Sequence, residues 1–459
     1  MRKIFKAQLN LLLIFSVTSL LVLNVTRLSP GKDLPPGDDT KKDVDSSITI
    51  VLPGSADKQL QQCLNKMFLH NNTLKQMFST VKRLRSEYTL SRSSMYPKAD
   101  FIGVAGKSGG NTVDTIYTGD DFSVSVPVSY EIDVWKKLRS QSGAIMRESE
   151  AAVYDRQALS VTLAAELMER YYTGLYLRQL LLLRDIVAQH AGHLTNLVSH
   201  KYEMGMATKD EVYTQKQTEK ELAAKRLALE EELVHIEHAL SVLMGDPPQD
   251  GWLRGAFSVP SWLNEVPQNL SADPATQRPD LLSLQRQMES AGLKIKAARG
   301  ASFPSFYLTG YSRNTTEDIN AFYKEEGFGW GAFVGVQFPI FDGKRHKATL
   351  EIQHHAADEL QEEYHLLLLK AMSETKSAFN SGKNQNEIVK VLKERNTLIA
   401  KSLIITQAQY DVGTEDLLKL TSEKQKFILA RMEHSKQQLQ LVSSRIQLLR
   451  AMGKGWWKK

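Results

Sequence analysis

The side chains in this sequence that are best suited to chemistry are two pairs of histidines. His235 and His238 lie three positions apart, and His354 is followed directly by His355. Imidazole is a common metal ligand, but a metal centre needs further ligands, and none occurs at a telling spacing from either pair. Both pairs lie in charged helical segments, so we predict solvated surface histidines and no resident metal.

A glycine-rich stretch at 103–110, GVAGKSGG, is the second candidate for a chemical role. It resembles a phosphate-binding loop, in which the frame G-x-x-x-x-G-K-[ST] lies between a strand and a helix. Here the position of the first glycine is occupied by Phe101, and a second strand follows instead of a helix. The sequence therefore predicts no nucleotide site and no cofactor.

Cysteine content and charge exclude further classes. Cys63 is the one cysteine of the chain, so an intrachain disulfide and a cysteine-based zinc site are both excluded. It lies in a helical pattern, LQQCLNKMF, and we predict a buried or half-buried structural thiol. The formal net charge is +6, with basic and acidic residues interspersed. Because nucleic-acid binding needs a basic stripe, no nucleic-acid partner is expected.

The elements that must position any functional site include a long alternating stretch from Asp121 to Trp135, DFSVSVPVSYEIDVW. Apolar and polar residues alternate without a break, which gives a strand one apolar and one polar face. The stretch is longer than the roughly 9–11 residues that a tilted strand needs to cross a bilayer. Since a lone strand cannot cross lipid, we predict a closed barrel. Pro127 lies within the strand and is expected at a bulge or a gap in the ladder.

Membrane helices are not predicted, because no internal run reaches the ~18 apolar residues of a spanning helix. The N-terminus predicts export: basic residues within the first six positions precede an apolar run from about Leu9 to Val25, as in a secretory signal peptide. We place the signal peptide at 1–28, with an uncleaved anchor as the alternative. Residues 29–56 are rich in Pro, Gly, Asp and Lys, and we predict a flexible N-terminal arm.

The remainder of the chain shows the same order of elements twice: helix, strand, strand, long helix, helix. The predicted segments are a first repeat at 57–250 with strands at about 98–135 and helices at about 136–244, a connector at 251–277, and a second repeat at 278–459 with strands at about 305–341 and helices at about 343–453. Landmarks recur at a nearly constant offset. Pro97 and Pro304 are 207 residues apart, and Trp135 and Phe341 are 206 apart. The glycines after the two long helices are 208 apart, which indicates an internal duplication.

Helix lengths predict how the rods pair. In each repeat the long helix matches the two shorter helices placed end to end, at about 1.5 Å per residue. Each chain then supplies four rods and four strands, fewer than the about eight strands of the smallest membrane barrels. The chain must therefore oligomerise, and from counting alone a trimer and a tetramer are both open. Apolar positions on several sides of the first long helix favour a ring of helices, with an ordinary coiled coil as the alternative.

Several segments together resemble one known family. They are SYEIDVWKKLRS, RPDLLSLQRQ, FPSFYLTGYS, VQFPIFDGKRHKA, QYDVGTEDLLKL and LRAMGKGW, in that order between about residues 57 and 457. They are similar to the TolC-like outer-membrane efflux channels, and among these to the NodT-type branch. The resemblance implies an α+β membrane protein. Its homotrimer would form a 12-stranded β-barrel in the outer membrane, continuous with a 12-helix periplasmic α-barrel.

The resemblance also implies partners and roles. The tunnel would dock on a periplasmic adaptor protein and an inner-membrane pump of the resistance-nodulation-division type, and the protein would have no catalytic activity of its own. Its barrel would lie in outer-membrane lipid. The sites implied are adaptor-docking hairpin tips at Tyr202, Gly205, Tyr410 and Gly413, an inner constriction at Glu211, Glu415, Asp416, Lys419 and Ser422, and a barrel-to-helix junction at Glu131, Asp133, Trp135, Pro339 and Phe341.

Two departures from the family pattern bear on these expectations. Members often have acidic residues six and nine positions after the second glycine turn, where this chain has Lys419 and Ser422, so the charge of the constriction is rearranged. Many members of the branch also carry a lipid-acceptor cysteine after the signal peptide, and residues 9–30 contain none, so lipidation is not expected.

The sequence thus predicts a passive outer-membrane exit duct of a tripartite efflux system that passes small molecules, such as drugs or metal ions. The channel of a type I protein secretion system is one alternative. A periplasmic coiled-coil or adaptor protein without a pore is an alternative of another class. The alternating strands discriminate against the last, since an adaptor has no need of a lipid-facing strand face.

Overall fold

The structure, a computed structural model, describes residues 57–111, 116–263, 277–316 and 327–453. In this part of the chain the helices are α1 (Lys58–His70), α2 (Asn72–Ser93), α3 (Lys137–Glu203), α4 (Lys209–Leu243), α5 (Pro279–Gly300), α6 (Arg345–Asp411) and α7 (Leu417–Met452). The strands are β1 (Lys98–Ala99), β2 (Ile102–Asn111), β3 (Ile116–Ile132), β4 (Ser305–Thr316) and β5 (Phe328–Gln337). The predicted signal peptide, the predicted N-terminal arm and part of the predicted connector lie outside the described residues.

The long helices α3 and α6 each have 67 residues, and they begin within two residues of the predicted starts at 136 and 343. The predicted order of elements places one helix before the first strand, and this is wrong, because α1 and α2 are separate helices with Asn71 between them. The side-chain Oδ1 of Asn71 accepts a hydrogen bond from Leu74 N at 3.0 Å. A side chain that satisfies a first-turn donor in this way starts a new helix.

Two strand boundaries also differ from prediction. The second-repeat strand, predicted to reach Phe341, ends at Gln337. Pro339 accounts for the difference because it has no N–H to donate to a ladder. The glycines at 109 and 110 would suggest a loop, but β2 continues to Asn111 and pairs with β3 over its whole length. The glycine-rich stretch that resembles a phosphate loop is therefore part of a paired strand.

The strands form one antiparallel sheet, in which β1 and β2 both pair with β3, and β4 and β5 follow. Pairing with β1 ends at Val128 and pairing with β2 begins at Ser125, so a gap lies opposite Pro127. The carbonyl O of Pro127 accepts from Asp100 N at 3.2 Å on that side. Because the N–H and C=O of a strand residue point the same way, the missing donor also faces β1 and β2. On the other side of β3 the ladder to β4 is unbroken, with Pro127 opposite Tyr311. The predicted gap in the ladder at Pro127 is therefore confirmed on the side of β1 and β2.

Residues with positive φ support the duplication. Among the described residues they include the pairs Lys136/Lys344, Gly205/Gly413 and Gly245/Gly453, and the members of each pair are 208 residues apart. A left-handed backbone at a lysine is uncommon, so its recurrence at the same offset is informative.

The ladder register corrects the alignment of the second strands. Ser129 and Gln337 occupy equivalent places in the two hairpins, opposite equivalent residues of β1 and β4. They are 208 residues apart, whereas the sequence alignment used an offset of 206. Trp135 is therefore equivalent to Gly343 and not to Phe341. The error is two residues, so the assignment of faces is unaffected.

The described residues form two compact units. The strand unit comprises Thr80–Val153 and Ser283–Glu363, and the helix unit comprises 57–79, Tyr154–Leu282 and 364–453. Helix α3 contributes to both. In the strand unit, Arg147 forms ion pairs with Glu150 at 2.7 Å and Glu289 at 3.1 Å, which link α3 to α5.

The main hydrophobic cluster of the helix unit surrounds Tyr171, which is fully buried. Side chains of α1, α3, α4 and α7 pack there, and the Tyr171 hydroxyl donates to Asp57 at the start of α1. Cys63 belongs to this cluster and is buried, as the sequence predicts. Burial raises the pKa of its thiol to about 11, with Asp57 adding to the effect, so the thiol stays protonated at neutral pH.

The end of α4 meets the start of α2, and we call this contact the first joint. Gly245 ends α4 with φ 80°. Asn71 Nδ2 donates to Leu243 O at 2.8 Å, while its Oδ1 accepts from Leu74 N. One amide thus satisfies an unpaired acceptor of one helix and an unpaired donor of the next.

The end of α7 meets the start of α5 in the same way, and we call this contact the second joint. Gly453 ends α7 with φ 68°, and α5 begins at Pro279, a residue suited to the first helical position. Arg278 Nη1 donates to Ala451 O at 3.3 Å. Shorter helices therefore meet end to end at both joints, as the match of lengths predicts.

Two buried charges hold the described part of the connector, and sequence reasoning missed both. Glu237 is 2% exposed, and its carboxylate accepts from Leu253 N at 3.1 Å. Arg445 is 5% exposed, and its Nη1 donates to Leu263 O at 2.7 Å. Burial lowers the pKa of Arg445. Both side chains face backbone groups more than ten residues away, which no local pattern indicates.

None of the helices in the described ranges combines the length and the hydropathy needed to cross a membrane.

Candidate functional site

The turn between α3 and α4, which we call the first tip, is closed by a Schellman motif. Gly205 has φ 73° and donates its N–H to Tyr202 O at 2.9 Å. Met206 N donates to Lys201 O at 2.7 Å. These two bonds satisfy the last carbonyls of α3, and the left-handed backbone at position 205 favours glycine. Of the predicted tip residues, Gly205 thus lies in the turn itself and Tyr202 lies in the last turn of α3.

Helix α4 begins at the first tip with a capping box. Thr208 Oγ1 accepts from Glu211 N at 3.2 Å, and Glu211 Oε2 accepts from Thr208 N at 3.0 Å. The Glu211 carboxylate also lies at the positive end of the helix dipole. Lys209 Nζ lies 5.6 Å from the centroid of the Tyr213 ring, a cation–π distance. The predicted constriction residue Glu211 is therefore engaged in capping.

The turn between α6 and α7, the second tip, repeats the Schellman geometry with a different cap. Gly413, at φ 79°, donates to Tyr410 O at 3.0 Å. Asp416 is the N-cap of α7, and its Oδ1 accepts from Lys419 N at 2.7 Å. Lys419 occupies the position of Glu211, 208 residues on, and cannot return a hydrogen bond as an acceptor. The second tip therefore has half of the capping box.

The other two residues predicted for the constriction lie on either side of the N-cap of α7. Glu415 is half-buried and directly precedes the N-cap, and Ser422 is exposed in the second turn of α7. The first turn of α7 contains no acidic residue. The first tip thus carries a carboxylate at the third helical position, where the second tip carries an ammonium group.

Exposed apolar side chains at the tips escaped the sequence analysis. Met204 is 70% exposed, Met206 is 75% exposed and Val412 is 75% exposed. In a Schellman motif the residue after the glycine usually packs against its own helix, yet Met206 faces solvent. Methionine and valine on either side of a turn glycine were the signal that could have identified them. Apolar groups held out in this way suit a protein contact.

Completing the second capping box should stabilise the second tip. In a Lys419→Glu variant, the new carboxylate would accept from Asp416 N and would lie near the positive helix end. We expect a gain of about 0.5–1 kcal/mol, which slows local opening roughly two- to five-fold. Amide hydrogen exchange at residues 414–420 measures this change.

The matched control is Glu211→Lys at the first tip, which removes the capping box there. Exchange at residues 206–212 should accelerate by a similar factor, with residues 414–420 unchanged. If residues 206–212 exchanged at the same rate in the Glu211→Lys variant as in the parent, a capping role for Glu211 would be contradicted.

The predicted junction residues are explained by local structure. Asp133 accepts from Leu138 N at 2.9 Å and Arg139 N at 3.0 Å, so it caps α3. Trp135 Nε1 donates to Pro304 O at 2.8 Å, and its ring stacks on Phe303 with centroids 4.7 Å apart. These contacts position the start of α3 against the chain that leads into β4.

The remaining junction residues differ in exposure. Glu131 forms an ion pair with Lys137. Pro339 is half-buried, and Phe341 is 92% exposed. Asp342, which the sequence analysis did not single out, accepts from His346 N at 2.9 Å. That hydrogen bond lowers the pKa of the Asp342 carboxyl, and nearby His346 and Arg345 add to the effect.

The histidines considered first do not converge. His235 is exposed beside Glu231 at 3.7 Å, and His355 is exposed beside Asp358 at 3.8 Å. His238 contacts Asp250. Across the ranges that the structure describes, no three histidine, cysteine or carboxylate side chains are grouped to hold a metal ion.

The chain is similar to known outer-membrane proteins. The family model described as outer membrane efflux protein matches residues 63–246 and 272–454. The chain is 23% identical over 410 residues to the toluene efflux pump outer membrane protein TtgF of Pseudomonas putida, covering 87% of this chain and 84% of that protein. It is 25% identical over 350 residues to the pyoverdine export outer membrane protein OpmQ of Pseudomonas putida, covering 74% and 72%.

A solved structure has the same fold. The outer membrane channel CmeC of Campylobacter jejuni matches with a TM-score of 0.80 at 19% identity, covering 93% of this chain and 94% of that one. At this identity the likeness shows the fold, and the two matched segments of the family model show the family.

Proposed function

The chain belongs to the outer membrane efflux protein family, and from this premise we propose that it is the exit duct of a tripartite efflux system. As a member it is a TolC-like α+β efflux channel protein of the outer membrane. The observation that carries the proposal is the family match in both halves of the chain, each of which contains a tip. Membership also sets aside the alternative of a periplasmic adaptor without a pore.

The sheet supports assembly into a barrel. In this chain the outer edges of β2 and of β5 have no strand partner within the described residues. An open edge in lipid leaves backbone groups unsatisfied at several kcal/mol each. Pairing of β5 with β1 and β2 of a second copy removes both edges. Three copies give a closed twelve-stranded barrel, which is the assembly we propose.

Helix α6 supports the same assembly. In the helix unit it exposes a series of large apolar side chains to solvent. They are Leu366, Leu369, Met372, Ile388, Val391, Leu398, Ile404 and Ile405. An exposed apolar surface of this extent on a soluble helix needs a partner. A neighbouring copy in a ring of twelve helices provides one.

The two tips support docking on a periplasmic adaptor. Each presents exposed apolar residues beside a rigid glycine turn, Met204 and Met206 at the first and Val412 at the second. We assign the docking contact to these residues together with Tyr202 and Tyr410. The inner constriction is assigned to the charged residues of the adjacent first turns, Glu211 and Lys419 with their neighbours.

The proposed cargo is small molecules, delivered by an inner-membrane pump of the resistance-nodulation-division type. The names of the relatives, which refer to toluene and pyoverdine, favour organic compounds for this chain. Metal ions are the second class within the proposal. The alternative is a protein cargo, exported by a type I secretion machine that uses the same trimeric duct.

The test combines oligomeric state with conductance. We expect the detergent-solubilised protein to have the mass of three chains and to form ion-conducting channels in planar bilayers. A monomer that does not insert would overturn the duct, and a mass of four chains would overturn the trimer. Co-expression with candidate pumps then separates small-molecule efflux from protein secretion by which cargo leaves the cell.

A further inference from the structure

Methionine side chains in the described part of the chain lie mostly inside it. Six methionines are at most 7% exposed, and three more are half-buried. The six are Met67, Met95, Met168, Met244, Met432 and Met452. The first tip departs from this pattern, since Met204 is 70% exposed and Met206 is 75% exposed. The two most exposed methionines of the described ranges thus lie at one turn.

A further exposed methionine lies on a surface that the proposed trimer covers. Met372 is 46% exposed and belongs to the apolar series on α6. Because a neighbouring copy would pack on that series, Met372 would be shielded in the assembly. The methionines of the first tip stay exposed until an adaptor docks. In an undocked duct they are therefore the accessible thioethers of the described chain.

The exposure of the tip methionines is a property of a well-defined turn. Gly205 N donates to Tyr202 O at 2.9 Å, and Met206 N donates to Lys201 O at 2.7 Å. These backbone hydrogen bonds fix the turn, and the sulfur atoms of the methionines take no part in them. A chemical change at sulfur would therefore alter the surface of the tip and leave its backbone in place.

The second tip provides an internal comparison. The offset of 208 residues makes Val412 equivalent to Met204 and Thr414 equivalent to Met206. Val412 is 75% exposed, and Thr414 is exposed with its hydroxyl donating to Gln409 O at 2.9 Å. Neither side chain contains the sulfur that oxidants attack. Each chain therefore carries one oxidisable tip and one tip that is inert at these positions.

We propose that Met204 and Met206 form an oxidation site, at which a hypohalous acid converts the thioethers to sulfoxides and weakens docking on the adaptor. With hypochlorous acid the sulfur gives up a pair of electrons and an S–O bond forms. The O–Cl bond breaks, and chloride and a proton are released. The site rests on the docking contact proposed for the first tip.

The sulfoxide changes what the first tip can bury. Oxidation turns a flexible apolar side chain into a polar one. Burying each new polar group against a partner surface that offers no donor would weaken the affinity roughly 5- to 150-fold. The second tip keeps its side chains under the same conditions. The oxidant thus uncouples the duct through the first tip.

The first test locates the oxidation. The full-length protein in detergent is treated with increasing amounts of hypochlorous acid, and peptide mass spectrometry follows the addition of oxygen at each methionine. Sulfoxide at Met204 and Met206 should form about ten-fold faster than at the buried Met67 and Met168, because a buried thioether is shielded from the oxidant. Equal rates, or oxidation of Met372 ahead of the tip, would overturn the site.

The second test measures docking through efflux. The parent is compared with a Met204→Val, Met206→Thr variant, which gives the first tip the residues of the second. Both are expressed in a host that lacks its own outer-membrane channel and carries the matching adaptor and pump. Export of a fluorescent dye is measured before and after a short pulse of hypochlorous acid.

Each strain is compared with its own untreated sample, since the adaptor and the pump meet the same oxidant in both strains. We expect the pulse to reduce efflux about five-fold more in the parent than in the variant. Equal reduction in the two strains overturns the link between oxidation and docking. If the Val/Thr variant exports too little dye to follow, Met204→Leu with Met206→Leu is the oxidation-resistant comparison.

Failure of the oxidation site can be told apart from failure of the duct. A parent strain that exports no dye even before the pulse contradicts the proposed duct. The mass-spectrometric test needs no efflux, so it still decides whether the first tip is oxidised before the other methionines.

Discussion

A Met204→Lys, Met206→Lys double variant is expected to reach the outer membrane as the parent does and to lose efflux. Both side chains are about three-quarters exposed, at 70% and 75%, and neither belongs to a buried cluster. Folding should therefore be unaffected. In the docked state the same groups would be desolvated, and two lysines there would cost about 2–4 kcal/mol, or roughly 30- to 700-fold in affinity for the adaptor.

The measurement has two parts. The minimal inhibitory concentration of a pump substrate is determined in a host that lacks its own outer-membrane channel and carries the matching adaptor and pump. It should fall to the value without any channel. The purified variant should conduct in planar bilayers like the parent, because the substitutions remove docking and leave the barrel intact.

The matched control is Met204→Leu with Met206→Leu, which keeps an apolar surface of similar size and should retain efflux. Normal efflux by the lysine variant would show that the first tip does not dock through these side chains. Loss of conductance by the lysine variant would show instead that the first tip contributes to the pore. The docking contact would then be assigned to the second tip alone.

A Gly245→Ala substitution at the first joint is expected to destabilise the protein strongly. Gly245 has φ 80°, where an L-residue is strained by roughly 1–2 kcal/mol. An added Cβ would lie 2.5 Å from His70 O and 2.8 Å from His70 C. Both are backbone atoms, so the joint has to separate, and the hydrogen bond from Asn71 to Leu243 lengthens with it. We expect about 3–5 kcal/mol in total.

Gly251→Ala is the matched control. Its φ is 64°, so the backbone strain is comparable, but nothing lies within 4 Å of the added Cβ. That variant should lose only about 1–2 kcal/mol. In a thermal melt of the detergent-solubilised protein, the apparent unfolding temperature should fall by roughly 5–15 °C for Gly245→Ala and by a few degrees for the control. Equal shifts would mean that strain alone acts and that the first joint is not tightly packed.

Much of the fold follows from local chemistry and could be predicted. The turns at Gly205 and Gly413 were found because a left-handed residue at a helix end favours glycine wherever the chain goes next. Strand β3 was found because alternation of apolar and polar residues depends only on neighbours along the chain. The gap at Pro127 was predicted in the same way, since proline lacks a donor in any sheet.

The candidate site was predicted in part. The positions of the tips and the charge difference between Glu211 and Lys419 were read from the sequence. The capping box was not, because it depends on whether a side chain folds back on its own turn. The exposure of Met206 was also missed, since hydrophobicity alone places a methionine inside a protein rather than at a turn.

The sequence by itself determined the kind, order and approximate ends of the helices and strands, because these depend on residues within a few positions of one another. Only the tertiary structure decided how the ends meet. Asn71 contacts Leu243 across 172 residues, and Arg445 contacts Leu263 across 182. Such partners have no fixed spacing, since they depend on how far each helix extends before it turns. The two joints and the true register of the strands are of this kind.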